Sequence, residues 1–143
     1  MRPLIQAVTS DYDRVKSVMS KARHPTFIGR EQVQRIADNG GAIVWVMDGV
    51  DVAVSLVDTR RSVLLALSVV RQGEGIGGRV LEYIRPNWAR VVESKVPWFE
   101  RHGYERVGRI TQGKTLRTQV MVRRGLRSLG ERVALLEGRH GQE

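Results

Sequence analysis

The sequence predicts a mixed α/β domain of the α+β kind, built on one sheet. Three observations predict it. Strand-like and helix-like segments follow one another without repeat or linker, in the order strand, two helices, three strands, helix, strand, helix, two strands. The 143 residues suit one domain that can bury a core without staples. A hydrophobic fraction of 41% and a charged fraction of 27% are those of an ordinary globular chain.

Each element has a local reason. Leu4–Val8 reads as a short first strand. Ser10 is placed to cap a helix through Lys21, with Asp11 and Asp13 in its first turn and Val15, Val18, Met19 and Ala22 at helical spacing. Arg23–Gly29 is a loop. Arg30–Asp38 is a second helix with Val33, Ile36 and Ala37 on one face, stopped by Asn39-Gly40-Gly41. Ala42–Met47 and Val50–Asp58 are strands joined by Asp48-Gly49, a dipeptide suited to a tight hairpin. In the second, Val50, Val52, Val54 and Leu56 alternate against Asp51, Ala53, Ser55 and Val57. Val63–Val70 is almost wholly apolar and is expected to be the central strand, covered on both faces. A helix over Gly77–Arg85 ends at Pro86. Arg90–Val96 is a fifth strand, and Pro97–His102 a short helix closed by Gly103. Tyr104–Ile110 and Thr115–Arg123 are strands around a turn, and Leu126–Leu136 is a polar C-terminal helix.

Composition narrows the chemistry. The absence of cysteine excludes disulfides, thiolate metal sites and a cysteine nucleophile, and no metal site is expected. The net charge is +9, carried almost entirely by arginine spread along the chain. Such a charge attracts nucleic acid or a small anionic cofactor; a genome rich in arginine codons gives the same composition. Met1–Ser10 has neither the charge nor the apolar run of a secretory leader, and no stretch reaches the roughly 20 apolar residues of a membrane span. A soluble, cytoplasmic protein is expected.

Three glycine patterns compete for the function. Gly73-Glu74-Gly75-Ile76-Gly77-Gly78 satisfies G-x-G-x-x-G between a strand and a helix, with Glu93 near the distance of a ribose-binding acid. That reading makes the chain a small NAD-binding domain, but the loop follows a hairpin and a third sheet strand, not a first strand. Gly108–Thr115 satisfies G-x-x-x-x-G-K-[ST], yet the residues after it alternate like a strand where a phosphate-binding P-loop opens a helix. The third pattern is Gln72-Gly73-Glu74-Gly75-Ile76-Gly77, which fits Q/R-x-x-G-x-G/A at the end of an apolar strand. A helix start leaves backbone N–H groups unpaired and its dipole favours an anion. Glycines let that backbone approach phosphate oxygens closely. Arg71 adds a cation able to grip phosphate with two hydrogen bonds.

The third pattern is followed by a strand and then by Trp98-Phe99-Glu100-Arg101-His102-Gly103-Tyr104, which looks like F-Y-E-x-x-G-F. In this order and spacing the two motifs resemble the GNAT N-acetyltransferase superfamily, over roughly Ala42 to Val122. The resemblance implies a single domain over 1–123 with a mostly antiparallel central sheet of six to seven strands flanked by helices, followed by a C-terminal helix and tail over 124–143. It implies an acyl-CoA-dependent N-acyltransferase that moves an acyl group directly from acetyl-CoA to a primary amine. Coenzyme A would be held by Val69, Val70, Arg71, Gln72, Gly73, Gly75, Ile76, Gly77 and Gly78. Free main-chain groups of Val69 and Val70 would pair with the pantetheine arm, and a backbone N–H there would face the thioester carbonyl. The amine would enter beside Arg23–Gly29, and the cationic surface suits an anionic or nucleic-acid-borne acceptor.

The proton-transfer groups do not carry over. Phe99 stands where many members have a tyrosine that protonates the leaving thiolate, and no acid lies between Val63 and Val70. Ser94 and Glu93 near the end of the fifth strand, and His24 in the loop, are the candidates left, each with a plainer reading as a surface residue. A protein that binds coenzyme A or nucleic acid without turnover is the alternative. A monomer or homodimer is expected, with Thr115–Arg123 as an edge able to pair between subunits.

Overall fold

The computed structural model describes residues 2–23, 25 and 27–126. Two units divide the chain, one ending at Pro86 and one beginning at Asn87. The predicted order of elements is present, with one 3₁₀ turn added. The architecture is α+β, with four α-helices and seven strands among the described residues, antiparallel within each unit.

In the first unit, β1 (Ile5–Val8), β2 (Ala42–Met47), β3 (Val50–Asp58) and β4 (Val63–Val69) pair in sequence order, all antiparallel. Asp48 and Gly49 both have positive φ, as a tight right-twisting hairpin requires. Helices α1 (Tyr12–Ala22) and α2 (Arg30–Asp38) pack Val15, Val18, Val33, Ile36 and Ala37 against Val44, Val54, Leu56 and Ala66. The other core layer sets Ile76 and Val80 of α3 (Ile76–Ile84) against Trp45, Met47, Val52 and Ala53.

Several boundaries and faces differ from expectation. Asp11, not Ser10, caps α1: its Oδ1 accepts from the N–H groups of Asp13 and Arg14 at 3.0 and 3.2 Å. The carboxylate also favours the positive helix end, which a hydroxyl does less well. The register of β2 against β3 slips so that Val52 has no partner between Asp51 and Ala53. This bulge turns Val52 to the side of Ala53, away from Val54, and breaks the predicted alternation. A second slip leaves Leu65 of β4 unpaired between Leu64 and Ala66. Full burial falls on β3 from Val52 to Leu56, whereas β4 alternates buried with half-buried residues and is not the doubly covered strand.

Arg14 of α1 ties that helix to β3. Its Nε and Nη2 donate to the two carboxylate oxygens of Asp51 at 2.9 and 2.8 Å. These hydrogen bonds outweigh desolvation and hold the Asp51 carboxyl below its ordinary value. The resulting stabilisation is present above the unfolded value of about 3.9 and is lost as pH falls through the lower folded value. Asp51→Asn is therefore expected to cost about 0.5–1 kcal/mol at neutral pH, given the partial exposure of the pair. Urea unfolding of both proteins across pH checks this: the gap should close in strong acid.

In the second unit, β7 (Arg117–Arg123) lies between β5 (Trp88–Val92) and β6 (Tyr104–Gln112). Strand β7 is thus no free edge, which removes the expected basis for pairing between subunits through Thr115–Arg123. The fifth strand stops at Val92, and Glu93–Lys95 turn in a 3₁₀ helix before α4 (Val96–Arg101). Phe99, 6% exposed, meets the buried Tyr104 edge to face, so both rings fill the core. Strand β6 runs on to Gln112 and β7 starts only at Arg117, so the turn falls two residues later than expected, with Gly108–Ile110 bulged out between the paired Val107 and Thr111. The buried Gln119 amide fills that gap, donating to the carbonyls of Val107 and Gly108 at 2.9 and 3.3 Å. The expected C-terminal helix and nearly all of the 124–143 tail lie outside the described residues.

Candidate active site

The connection from β4 to α3 is built from the residues the sequence singled out. Val69 ends β4; Val70 and Arg71 follow, half-buried; Gln72 to Gly75 are exposed; Ile76 is buried at 1% and anchors the first turn of α3. Gly77 and Gly78 lie within that turn. The face that holds the helix down is Ile76, Val80 and Leu81, and the helix ends where Arg85 turns left-handed before Pro86.

Two glycines here are conformationally required. Gly73 has φ +82° and Gly75, the N-cap of α3, φ +72°. A Cβ at either would meet no atom within 4 Å, so the backbone borders open space. No side chain caps α3 and its first turn carries no acid, which leaves the helix start suited to an external anion.

The charges around the loop agree. Glu74 would oppose an anion, but its carboxylate pairs with Arg2 Nη2 at 3.0 Å, while Arg2 Nη1 pairs with Asp48 at 2.9 Å. Among the described residues no carboxylate pairs with Arg71, or with Arg79 in the first turn of α3. Arg79 and Arg2 were not among the residues expected at the site. Arg79 was legible from its place three residues into the helix; Arg2 sits 72 residues from Glu74 and carried no signal.

The main chain of β4 corrects one expectation. Val70 N–H donates to the Val52 carbonyl at 2.8 Å, so it is not a free donor. Antiparallel bonding alternates, and the N–H and C=O of Val69 therefore face away from β3. The Val69 carbonyl accepts from Gln72 Nε2 at 2.9 Å, so Gln72 folds back over the end of the strand. One residue earlier, the Ser68 hydroxyl is buried with no hydrogen-bond partner among the described residues, on the face of β4 shared with Val54.

The candidates for proton transfer are placed separately. Glu93 is exposed and pairs with Arg117 Nε at 3.0 Å, and Ser94 is exposed in the 3₁₀ turn. His24 lies outside the described residues. His102 stacks on Trp98 at 4.0 Å and its Nδ1 lies 2.8 Å from the Trp98 carbonyl, at the C-terminal end of α4. The phosphate-loop pattern over Gly108–Thr115 is a β-hairpin with no following helix, as its alternation predicted. The dinucleotide pattern fails on topology, since β1 to β4 are all antiparallel and that fold needs parallel strands. Among the described residues no cluster of three or more metal-ligating side chains occurs, and no helix is long and apolar enough to cross a membrane.

A sheet strand, a glycine turn in left-handed conformation and an uncapped helix start follow one another in an α+β protein. The fold is that of the GNAT N-acetyltransferases. A GNAT-family acetyltransferase from Bacillus cereus superposes with a TM-score of 0.63 at 16% identity, over 87% of this chain and 98% of the other. The ribosomal-protein-S18-alanine N-acetyltransferase of Escherichia coli gives 0.63 at 17% identity, over 85% and 92%. Naa50 of Arabidopsis thaliana, in complex with the bisubstrate analogue CoA-Ac-MVNAL, gives 0.61 at 13% identity, over 82% and 96%. No family model and no curated protein matches the sequence.

Proposed function

We propose that the chain is an acyl-CoA-dependent N-acyltransferase, acting from acetyl-CoA on a primary amine. The observation that carries the reading is the open cradle at Gly73 and Gly75, with its glycine backbone at positive φ and α3 behind it. Residues Arg71 to Gly78 would hold the pyrophosphate, with Ile76 fixing the turn from inside the core. Arg71 and Arg79 supply charge, and Arg2 keeps Glu74 from opposing it. Gln72 now covers the Val69 carbonyl, and its swing away would open that group to the pantetheine arm. The Val69 N–H is the donor left for the thioester oxygen, because Val70 is committed to Val52. Acetyl-CoA supplies the activated acyl carbon when bound.

Ser94, Glu93 and His24 stay the proposed candidates for proton transfer, and the buried Ser68 hydroxyl joins them on the strand that carries the loop. Phe99 favours a second reading, a coenzyme A-binding protein without turnover, because its buried ring has no proton to give. The two separate in one assay. With acetyl-CoA and a panel of primary amines, a transferase releases free thiol only when an accepted amine is present. Tight coenzyme A binding with no amine-dependent thiol across the panel would establish the second reading.

A further inference from the structure

A second candidate site lies on the first unit, between α1 and α2. A cleft of about 250 Å³ opens there. Its floor is apolar: Val15, Ile28 and Val33 are buried and Met19 partly so. Its rim is cationic, from Lys16, Arg23 and Arg30, all exposed. Among the described residues no acid lines it and no carboxylate pairs with any of the three cations. Arg30 is held over the Tyr12 ring at 4.6 Å, which fixes its guanidinium at the rim instead of leaving it free in solvent. It is also the first residue of α2, a helix whose N-cap, Gly29, offers no side chain.

We propose that this cleft binds a small amphipathic carboxylate, an organic acid whose apolar body lies on the Met19–Ile28 floor while its charged end meets Arg30 and Arg23. Charge complementarity selects the anion. The apolar floor selects against inorganic phosphate and other wholly polar anions, which would leave that surface wet. The volume, just below the roughly 300–1,000 Å³ usual for ligand pockets, admits only a compact molecule such as an aryl acetate. The site rests on its own lining and not on the β4–α3 loop, although it borders the Arg23–Gly29 loop beside which the amine would enter.

Calorimetric titration of the full chain tests it, with phenylacetate, its neutral isostere phenylacetamide, and inorganic phosphate as probes. Phenylacetate should bind, and each of Arg30→Gln and Arg23→Gln should weaken it about tenfold, the value of one charge-assisted hydrogen bond. Arg60→Gln, which removes an exposed cation outside the cleft, should leave it unchanged. Thermal midpoints without ligand confirm that each variant is folded. Equal binding of acid and amide would overturn the role of the cations, and equal binding of phosphate would overturn the role of the floor. No binding of phenylacetate at millimolar concentration would overturn the proposal outright, whatever coenzyme A does at the glycine loop.

Discussion

Replacing Gly75 with aspartate is expected to weaken coenzyme A binding by about a hundredfold or more, while costing only about 1 kcal/mol of folding stability. The two effects have different origins. The fold tolerates the substitution because nothing lies within 4 Å of the new Cβ and only the left-handed backbone, φ +72°, is strained. Aspartate enters that region more readily than most residues. The ligand does not tolerate it, because the side chain projects into the space over the α3 start and brings a negative charge to a negative group. Gly75→Asn separates size from charge, since it fills the same space without the repulsion, and should fall between the two. Calorimetric titration gives the affinities and urea unfolding the stabilities. An aspartate variant that binds as the parent does would remove Gly75 from the site.

Trp45→Ala is expected to have the largest effect on folding, about 3–5 kcal/mol, as for other large aromatic truncations in a core. Trp45 is wholly buried in β2, under α3, in the layer with Ile76 and Val80. Its Nε1 donates to the Ser55 hydroxyl at 2.9 Å and its ring meets Tyr83 at 5.5 Å. Truncation therefore opens a cavity, strands a buried hydroxyl and loosens the helix whose N-terminus forms the cradle. A loss of that size is a large part of a typical domain's 5–15 kcal/mol. Trp45→Phe should cost less, since it keeps most of the volume and loses the hydrogen bond. Circular dichroism in urea measures both. A cost below about 1 kcal/mol for alanine would mean that the layer under α3 repacks and does not set the loop.

Much of the fold was legible because its signals are local. Alternation and apolar runs marked the strands, and Asp48-Gly49, Gly103 and Pro86 marked turns and stops, each through a backbone conformation that few residues adopt. The glycine loop was legible for the same reason. What escaped depends on pairing between distant segments. The bulges at Val52 and Leu65 arise from register, so a strict alternation put Val52 on the wrong face. The neutralisation of Glu74 by Arg2 and the commitment of the Val70 N–H to Val52 are likewise contacts across the sheet. The fifth strand was drawn too long because Glu93-Ser94-Lys95 gives no strong turn signal before Pro97. The edge role of Thr115–Arg123 failed because strand order is not written in a strand's own residues: β7 inserts between β5 and β6.

The central claim is that the loop from Arg71 to Gly78 holds the pyrophosphate of coenzyme A. Thermal unfolding with coenzyme A, acetyl-CoA and NAD added separately tests it most directly, because a ligand that binds only the folded state raises the midpoint. A rise with both coenzyme A species and none with NAD, abolished by Gly75→Asp, is the expected result. No rise with either coenzyme A species at millimolar concentration, or a rise with NAD alone, would contradict it.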